Sequence, residues 1–324
     1  MHHLKAFFSE LSGGTGASQA SSSYEGKVPI HELSHVPTKA WEKMKVKQTV
    51  KDVDPIDPAT PISEDHIRFV CLSDTHSRVE KLEGFVPPGD VLLHTGDFTQ
   101  IGLPKAVEEF DRFLGEQPHR AKIVIAGNHD LTFDMNLVEN RRGHLQSQFG
   151  IQRSKFEDIL EELKVKSSRE LLKNCYYLED SGVSVCGVNI FGSPWQPEFG
   201  DWGFNLPRGG PCLEKWDKIP DDTDILLTHG PPIGHGDWCF SGLRAGCVEL
   251  LTTIQTRVKP KFHIFGHIHE AYGVTSDDQT TFINASNCTL RYKPLQLPIV
   301  FDYPVPDGHS KSELDNFPKN NLSQ

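Results

Sequence analysis

The chain has 324 residues, 37% of them hydrophobic, and a formal net charge of −11 at pH 7. That is enough apolar material for one large core, and with no compensating Lys/Arg cluster a polymeric nucleic acid is disfavoured as a partner. The seven cysteines form no CxxC pair, the start has no sustained apolar leader and no run approaches membrane-spanning length, so a cytoplasmic protein without a membrane partner is expected.

Residues 1–60 read as a poorly ordered N-terminal arm, because 13–23 is rich in Gly and Ser and 53–61 is broken by prolines. One domain is expected over 61–305, followed by a flexible tail over 306–324. Inside the domain, Arg68-Phe69-Val70-Cys71-Leu72 has the nearly all-apolar texture of a strand covered on both faces, and it stops at Asp74-Thr75-His76. Val91–Leu93 stops in the same way at Gly96-Asp97. A helix starting near Pro104 puts Val107, Phe110, Phe113 and Leu114 on one face. Strand, helix and strand at that spacing predict a right-handed βαβ unit. Its second strand, Ile123–Ile125, stops at Gly127-Asn128-His129-Asp130.

A second amphipathic helix carries Phe156, Ile159, Leu160 and Leu163, and alternation from Tyr176 to Phe191 predicts antiparallel strands. Between Gly192 and Gly209, Trp195, Phe199, Trp202 and Phe204 lie among prolines and glycines. This stretch reads either as a lobe packed by its own aromatics or as a cleft wall in which Trp195 stacks a purine. Ile225–Leu227 then stops at Thr228-His229-Gly230. A third helix carries Val248, Leu251, Ile254 and Val258 and ends at Pro260. His263–Phe265 stops at Gly266-His267-Ile268-His269, and the last strands fall at Thr281–Asn284 and Ile299–Asp302.

A strand that stops at a carboxylate, amide or imidazole delivers that group to the rim of a sheet. The five stops together supply aspartates, histidines and one asparagine amide, a mixed N/O set suited to two adjacent divalent ions. Asp97, with no neighbouring ligand, is the natural bridge. Two ions roughly 3.5–4 Å apart hold a phosphoryl group and lower the pKa of a bridging water toward about 7, so hydroxide attacks phosphorus in line without a protein nucleophile. Taken singly, each motif has a plainer explanation. D-x-H and G-D arise by chance, G-N-H-D also makes an Asn turn, and G-H-x-H also makes a solvated face. The ordered set, each member at a strand end, carries the metal reading. Most of the 16 histidines need no role. His94 and His263 read as core residues, and His235 is a candidate substrate contact in the glycine-rich loop after His229.

This series resembles the calcineurin-like metallophosphoesterase superfamily. The longer context (Phe69–Arg78, Ile123–Phe133, Gly192–Pro197 with Trp202–Gly209, and Thr228–Pro232) is similar to the metallophosphoesterase domain-containing proteins of animals, over residues 66–305. The resemblance implies an α/β fold, a four-layer αββα sandwich of the metallo-dependent phosphatase type. It also implies one ion held by Asp74, His76, Asp97 and His269 and another by Asp97, Asn128, His229 and His267. His129 is implied as the catalytic residue and, with Asn128, as a phosphate contact. The implied cofactors are two divalent ions, Mn²⁺ first and Fe²⁺ or Zn²⁺ as alternatives.

The implied activity is a dimetal phosphohydrolase acting on small phosphodiesters such as cyclic nucleotides. A phosphomonoesterase, or a metal-binding interaction protein with little activity, are the alternatives. Two positions depart from relatives. Ile101 stands where phosphoprotein phosphatases carry an arginine that grips phosphate. Gln100 replaces a carboxylate that pairs with the catalytic histidine, and its amide can orient an imidazole but not offset its charge. His129 is therefore expected neutral at pH 7, and Gln100→Glu is expected to alter the pH–rate profile.

Overall fold

Alternation along the apolar strands sends successive side chains to opposite sides of a sheet. Along β2 (His66–Leu72), Ile67, Phe69 and Cys71 enter one buried cluster while Val70 and Leu72 enter another. The computed structural model describes residues 26–82 and 84–321. In it β2 lies in a sheet ordered β14-β2-β3-β4-β5, where β3 is Val91–Thr95, β4 Ala121–Ile125, β5 Tyr176–Tyr177 and β14 Ile299–Pro304. Strands β2 to β5 are parallel and β14 closes one edge antiparallel.

The second sheet is ordered β1-β12-β13-β11-β10-β7-β6. Its strands are β1 (Lys51–Asp52), β6 (Ser181–Val185), β7 (Val188–Ser193), β10 (Ile225–Thr228), β11 (Phe262–Phe265), β12 (Gly273–Ser276) and β13 (Thr281–Asn284). Strands β7, β10, β11 and β13 run parallel. A separate ribbon pairs β8 (Gln196–Pro197) with β9 (Asn205–Leu206).

The two sheets bury one face of each against the other, with Phe69, Leu93 and Ile123 meeting Ile190, Leu227 and Ile264. Helices cover the outer faces. The helices are α1 (Pro37–Met44), α2 (Pro104–Glu116), α3 (Met135–Asn140), α4 (Arg142–Phe149), α5 (Arg153–Glu162), α6 (Gly210–Trp216) and α7 (Val248–Thr253). Val107, Phe110 and Phe113 of α2 pack on Val70 and Leu92, and Trp216 and Leu251 of α6 and α7 pack on Leu226 and Phe265. The result is the expected order of layers, α, β, β, α. No helix of the described residues is long and apolar enough to cross a membrane. All seven cysteines are buried and free.

Two segments differ from the sequence reading. The described part of the expected arm is anchored: Trp41 of α1 is buried with Ile233 and Val248, Arg244 lies 4.6 Å over its ring, and β1 pairs with β12. The part of that arm at 1–25 lies outside the described residues. At the other end Leu314 is buried in the inter-sheet cluster behind a Ser310–Glu313 capping box. Both segments are polar with isolated apolar anchors, so local composition does not register the contacts that hold them. Asn284-Ala285-Ser286 and Asn287-Cys288-Thr289 match the glycosylation sequon, but both asparagines are buried and donate their amides to backbone carbonyls.

His235 is fully buried, stacked on Phe282 at 3.8 Å and hydrogen-bonded to Thr275 Oγ1 at 2.9 Å, so it is a packing residue and not a substrate contact. Burial pushes its pKa down to about 4. An unfolded chain takes up this proton near pH 6.5 and the folded chain only near pH 4, so stability falls as pH drops through that window. His235→Gln is expected to remove up to about 3 kcal/mol of that acid loss. Urea denaturation of both proteins at pH 7 and pH 4.5 measures it, and parallel losses would exclude the effect.

Candidate metal centre

All five predicted motifs lie where a strand ends: Asp74 and His76 after β2, Asp97 after β3, Asn128 and His129 after β4, His229 after β10, and His267 and His269 after β11. The chain turns sharply at each rim. Asp74 (φ 52°), His76 (φ 45°), Asp97 (φ 55°) and His267 (φ 67°) are all left-handed, a conformation that costs energy for residues with a Cβ and clusters at functional sites. Two glycines make room for the acids. A Cβ on Gly127 would run into Asp97 Oδ1 and His229 Cε1, and one on Gly266 would run into Asp74 Oδ2 and Ser73 Oγ.

The side chains converge in two sets that share Asp97. In the first, His269 Nε2 lies 3.3 Å from Asp74 Oδ1 and 3.1 Å from His76 Nε2, and His76 Nε2 lies 3.9 Å from both Asp74 and Asp97. In the second, His229 Nε2 lies 3.4 Å from Asp97 Oδ2 and 2.9 Å from Asn128 Oδ1, with the His267 ring 5.0 Å away. Ligand atoms of Asp74, His76 and His269, and those of Asp97, His229 and His267, lie within 4.8 Å of one another. Every residue expected to hold an ion is therefore at one place.

The donor set fits divalent cations. His229 Nδ1 meets the Thr95 carbonyl at 2.8 Å and His269 Nδ1 meets the Thr289 carbonyl at 3.1 Å. A carbonyl only accepts, so both rings carry hydrogen on Nδ1 and aim Nε2 inward, the outer-partner arrangement of histidine ligands. The 3.1 Å approach of His76 Nε2 to His269 Nε2 then needs either a proton or a cation between them.

Asp74 is held by Ser286 Oγ at 2.6 Å and the His267 N–H at 2.9 Å. Burial opposes its charge, yet the His269 hydrogen bond and the charges of His269, His229 and His76 hold it well below the usual carboxylate range. Burial opposes charge on Asp97 too, and His229 and His129 outweigh it. Burial and His129 push His76 well below the ordinary imidazole value, and burial with His229 takes His267 down to about 3. Ionised acids beside neutral imidazoles are what divalent ions bind. His269 and His229 are the exceptions: burial works against charge on both, but Asp74 raises His269 and Asp97 lifts His229 to about 9. A cation shared with Asp97 would take that proton's place.

His129 borders both sets. Its Nε2 is 4.0 Å from Asp97 Oδ2, and its ring is 4.6 Å from His76. Its Nδ1 meets Gln100 at 2.9 Å, but through the backbone carbonyl, and the Gln100 side chain is exposed. This corrects the role expected for the Gln100 amide: the chain fold orients the imidazole whatever residue stands there. Burial, opposed by Asp97, lowers the His129 pKa, in line with the neutral ring expected. Gln100→Ala and Gln100→Glu are accordingly expected to change kcat by less than about twofold, with an unshifted pH–rate profile. A moved profile in steady-state assays would restore the side chain to the mechanism.

Asp130, the last residue of its motif, belongs to neither set. It accepts hydrogen bonds from Thr99 N, Thr99 Oγ1 and Gly127 N at 2.9, 2.7 and 2.9 Å and so staples the β3 and β4 turns together. His94 and His263 are buried and bonded to Thr75 and Thr228, as core histidines.

The aromatic lobe does form a wall, though not with Trp195. That ring packs on Phe204 at 5.3 Å, with Lys215 Nζ 3.7 Å over it. Trp202 instead stacks on His129 at 3.8 Å and 27°, and Phe199 sits edge-on to His267 at 5.5 Å. Gly203 N donates to the Asn128 carbonyl at 3.0 Å and Phe204 N to Asp134 at 2.8 Å, which ties the lobe to the β4 turn. Tyr292, in the loop before β14, also joins the site and carries no motif that would announce it.

A family model described as Calcineurin-like phosphoesterase matches residues 67–271, a span that begins in β2 and takes in every residue of the two sets. Human Metallophosphoesterase domain-containing protein 1 is 47% identical over 290 residues, 86% of each chain. The UPF0046 protein T07D4.2 of Caenorhabditis elegans is 42% identical over 296 residues, 90% of this chain and 74% of that one. A 3′,5′-cyclic-nucleotide phosphodiesterase of Nostoc sp. is 24% identical over 209 residues, 63% of this chain and 66% of its own. With acids and imidazoles gathered at five strand ends and a family model spanning all of them, this chain belongs to the calcineurin-like phosphoesterases.

Proposed function

We propose that the protein is a dimetal phosphodiesterase acting on small phosphodiesters, with cyclic nucleotides as the favoured class and Mn²⁺ as the favoured ion. The family implies divalent metal ions and phosphoester hydrolysis. The observation that carries the reading is the pair of ligand sets meeting at Asp97. Asp74, His76, Asp97 and His269 would hold one ion, and Asp97, Asn128, His229 and His267 the other. Bound there, the ions would supply Lewis-acid charge at phosphoryl oxygens and acidify water.

The chain's own groups divide the remaining work. His129, its Nδ1–H committed to the Gln100 carbonyl, presents Nε2 beside Asp97 as an acceptor when neutral. A neutral ring is a weak general acid, so substrates whose leaving groups need no proton are favoured. Trp202 holds that imidazole in plane, and with Phe199 it lines the centre with apolar surface.

Two observations favour diesters over monoesters. Ile101 packs with Leu131, Leu137 and Trp202 where phosphoprotein phosphatases hold an arginine, so the clamp suited to a dianion is missing. The aromatic walls also offer a surface to a second ester group. The name of the Nostoc relative supports the nucleotide class.

The test is turnover of bis-p-nitrophenyl phosphate against p-nitrophenyl phosphate by Mn²⁺-loaded protein, then of cyclic nucleotides. A kcat/KM for the diester at least about tenfold higher is the expected result. Preference for the monoester would favour a phosphomonoesterase, and turnover of neither would favour a metal-binding interaction protein.

A further inference from the structure

Tyr292 belongs to none of the strand-end motifs, yet its ring lies among three histidines of the centre. It is 4.8 Å from His76 at 75°, 5.4 Å from His269 at 83° and 6.1 Å from His129 at 61°. The loop that carries it is firmly held. Cys288 pairs with Pro294, Thr289 N donates to the Lys293 carbonyl at 2.9 Å, and Tyr292 N donates to the Thr289 carbonyl at 2.7 Å. The same Thr289 carbonyl receives His269 Nδ1, so this turn and the first ligand set are mechanically one unit.

Two features of Tyr292 are unexplained by packing. Its φ of 54° is left-handed, which is a genuine outlier for a bulky aromatic residue, and such strain persists where the surroundings impose it. Its hydroxyl, like that of Tyr176, has no hydrogen-bond partner among the described residues, whereas Tyr177, Tyr272 and Tyr303 donate theirs to Glu179, the Leu297 carbonyl and Asp224. A phenylalanine would make every ring contact that Tyr292 makes. The hydroxyl is therefore the part that packing does not use, on a ring that lies beside the histidines of the centre.

We propose that Tyr292 is a substrate-binding residue whose hydroxyl donates a hydrogen bond to the phosphoryl group of a bound phosphodiester. This rests on the hydrolase reading for its ligand. A phenol is a neutral donor at pH 7. It can bond one oxygen of a diester monoanion without the full positive charge that an arginine brings to a dianion. In this chain, with Ile101 at the arginine position, that is the complementary choice.

The test is Tyr292→Phe in the Mn²⁺-loaded full chain, with metal content, thermal midpoint, inorganic phosphate affinity by calorimetry, and kcat/KM for bis-p-nitrophenyl phosphate all measured. Metal content and midpoint are expected to hold while kcat/KM and phosphate affinity each fall roughly tenfold, the size of one hydrogen bond to a charged group. Full phosphate affinity and full kcat/KM in the variant would overturn the assignment. So would losses that merely follow a drop in metal content, since the ring would then be structural. If the wild type binds phosphate through Tyr292 yet hydrolyses no ester, the hydrolase reading fails and the binding role stands. A wild type that neither binds phosphate nor hydrolyses an ester removes both.

Discussion

Asp97→Asn is expected to lower metal content at both positions and to cut phosphoester turnover by roughly 10²- to 10⁴-fold. That range follows from about a 10- to 100-fold weakening at each of two sites, which loss of an outer partner alone can cause. Among the described residues, Asp97 is the one whose carboxylate lies within 4 Å of imidazole nitrogens of both sets, 3.9 Å from His76 and 3.4 Å from His229. An amide keeps the oxygen that accepts the His129 N–H at 2.7 Å, so the turn after β4 should survive and the charge alone is lost. Metal analysis beside steady-state kinetics decides the matter. Two ions per chain with near-normal turnover would show that the acid is not shared.

Gly127→Ala should damage the centre almost as much without altering any ligand. The added methyl would lie 2.5 Å from the Asp97 nitrogen and 2.6 Å from His229 Cε1, closer than real Cβ atoms come. Neither neighbour can yield easily. Asp97 is fixed in a left-handed turn, and the His229 ring is pinned to the Thr95 carbonyl. Overpacking of this kind costs about 1–3 kcal/mol, and displacement of the shared acid should reduce turnover roughly 10²-fold. Gly143→Ala is the control, since a Cβ there meets nothing within 4 Å and alanine favours the helix α4. Equal activity of the two variants would sink the close-approach argument.

The residues of the two sets were legible because they obey a local rule: an apolar run stops, and a side chain able to bind metal follows. The same alternation that marks Phe69 and Cys71 against Val70 and Leu72 is what divides the layers, so the sandwich could be anticipated too. The errors share a different cause. Gln100 acts through its carbonyl, and a side-chain letter says nothing about where a backbone oxygen points. Trp195 and Trp202 look alike among prolines and glycines, and only the Gly203–Asn128 and Phe204–Asp134 hydrogen bonds decide which one reaches His129. Trp41 is buried by residues nearly two hundred positions away, and Tyr292 by histidines from other strands. Contacts of that range leave no periodic trace.

Both sheets contribute to each of the two sets. Asp74, His76, Asp97 and Asn128 leave the β14-β2-β3-β4-β5 sheet, and His229, His267 and His269 leave the other. An ion in either position would therefore act as a rivet through the seam between the halves of the sandwich. Occupancy would be coupled to how firmly the layers are clamped, because whatever binds only the folded form stabilises it by mass action. Chelation should then loosen the joint itself, and cation supply would govern the chain's lifetime as well as its chemistry.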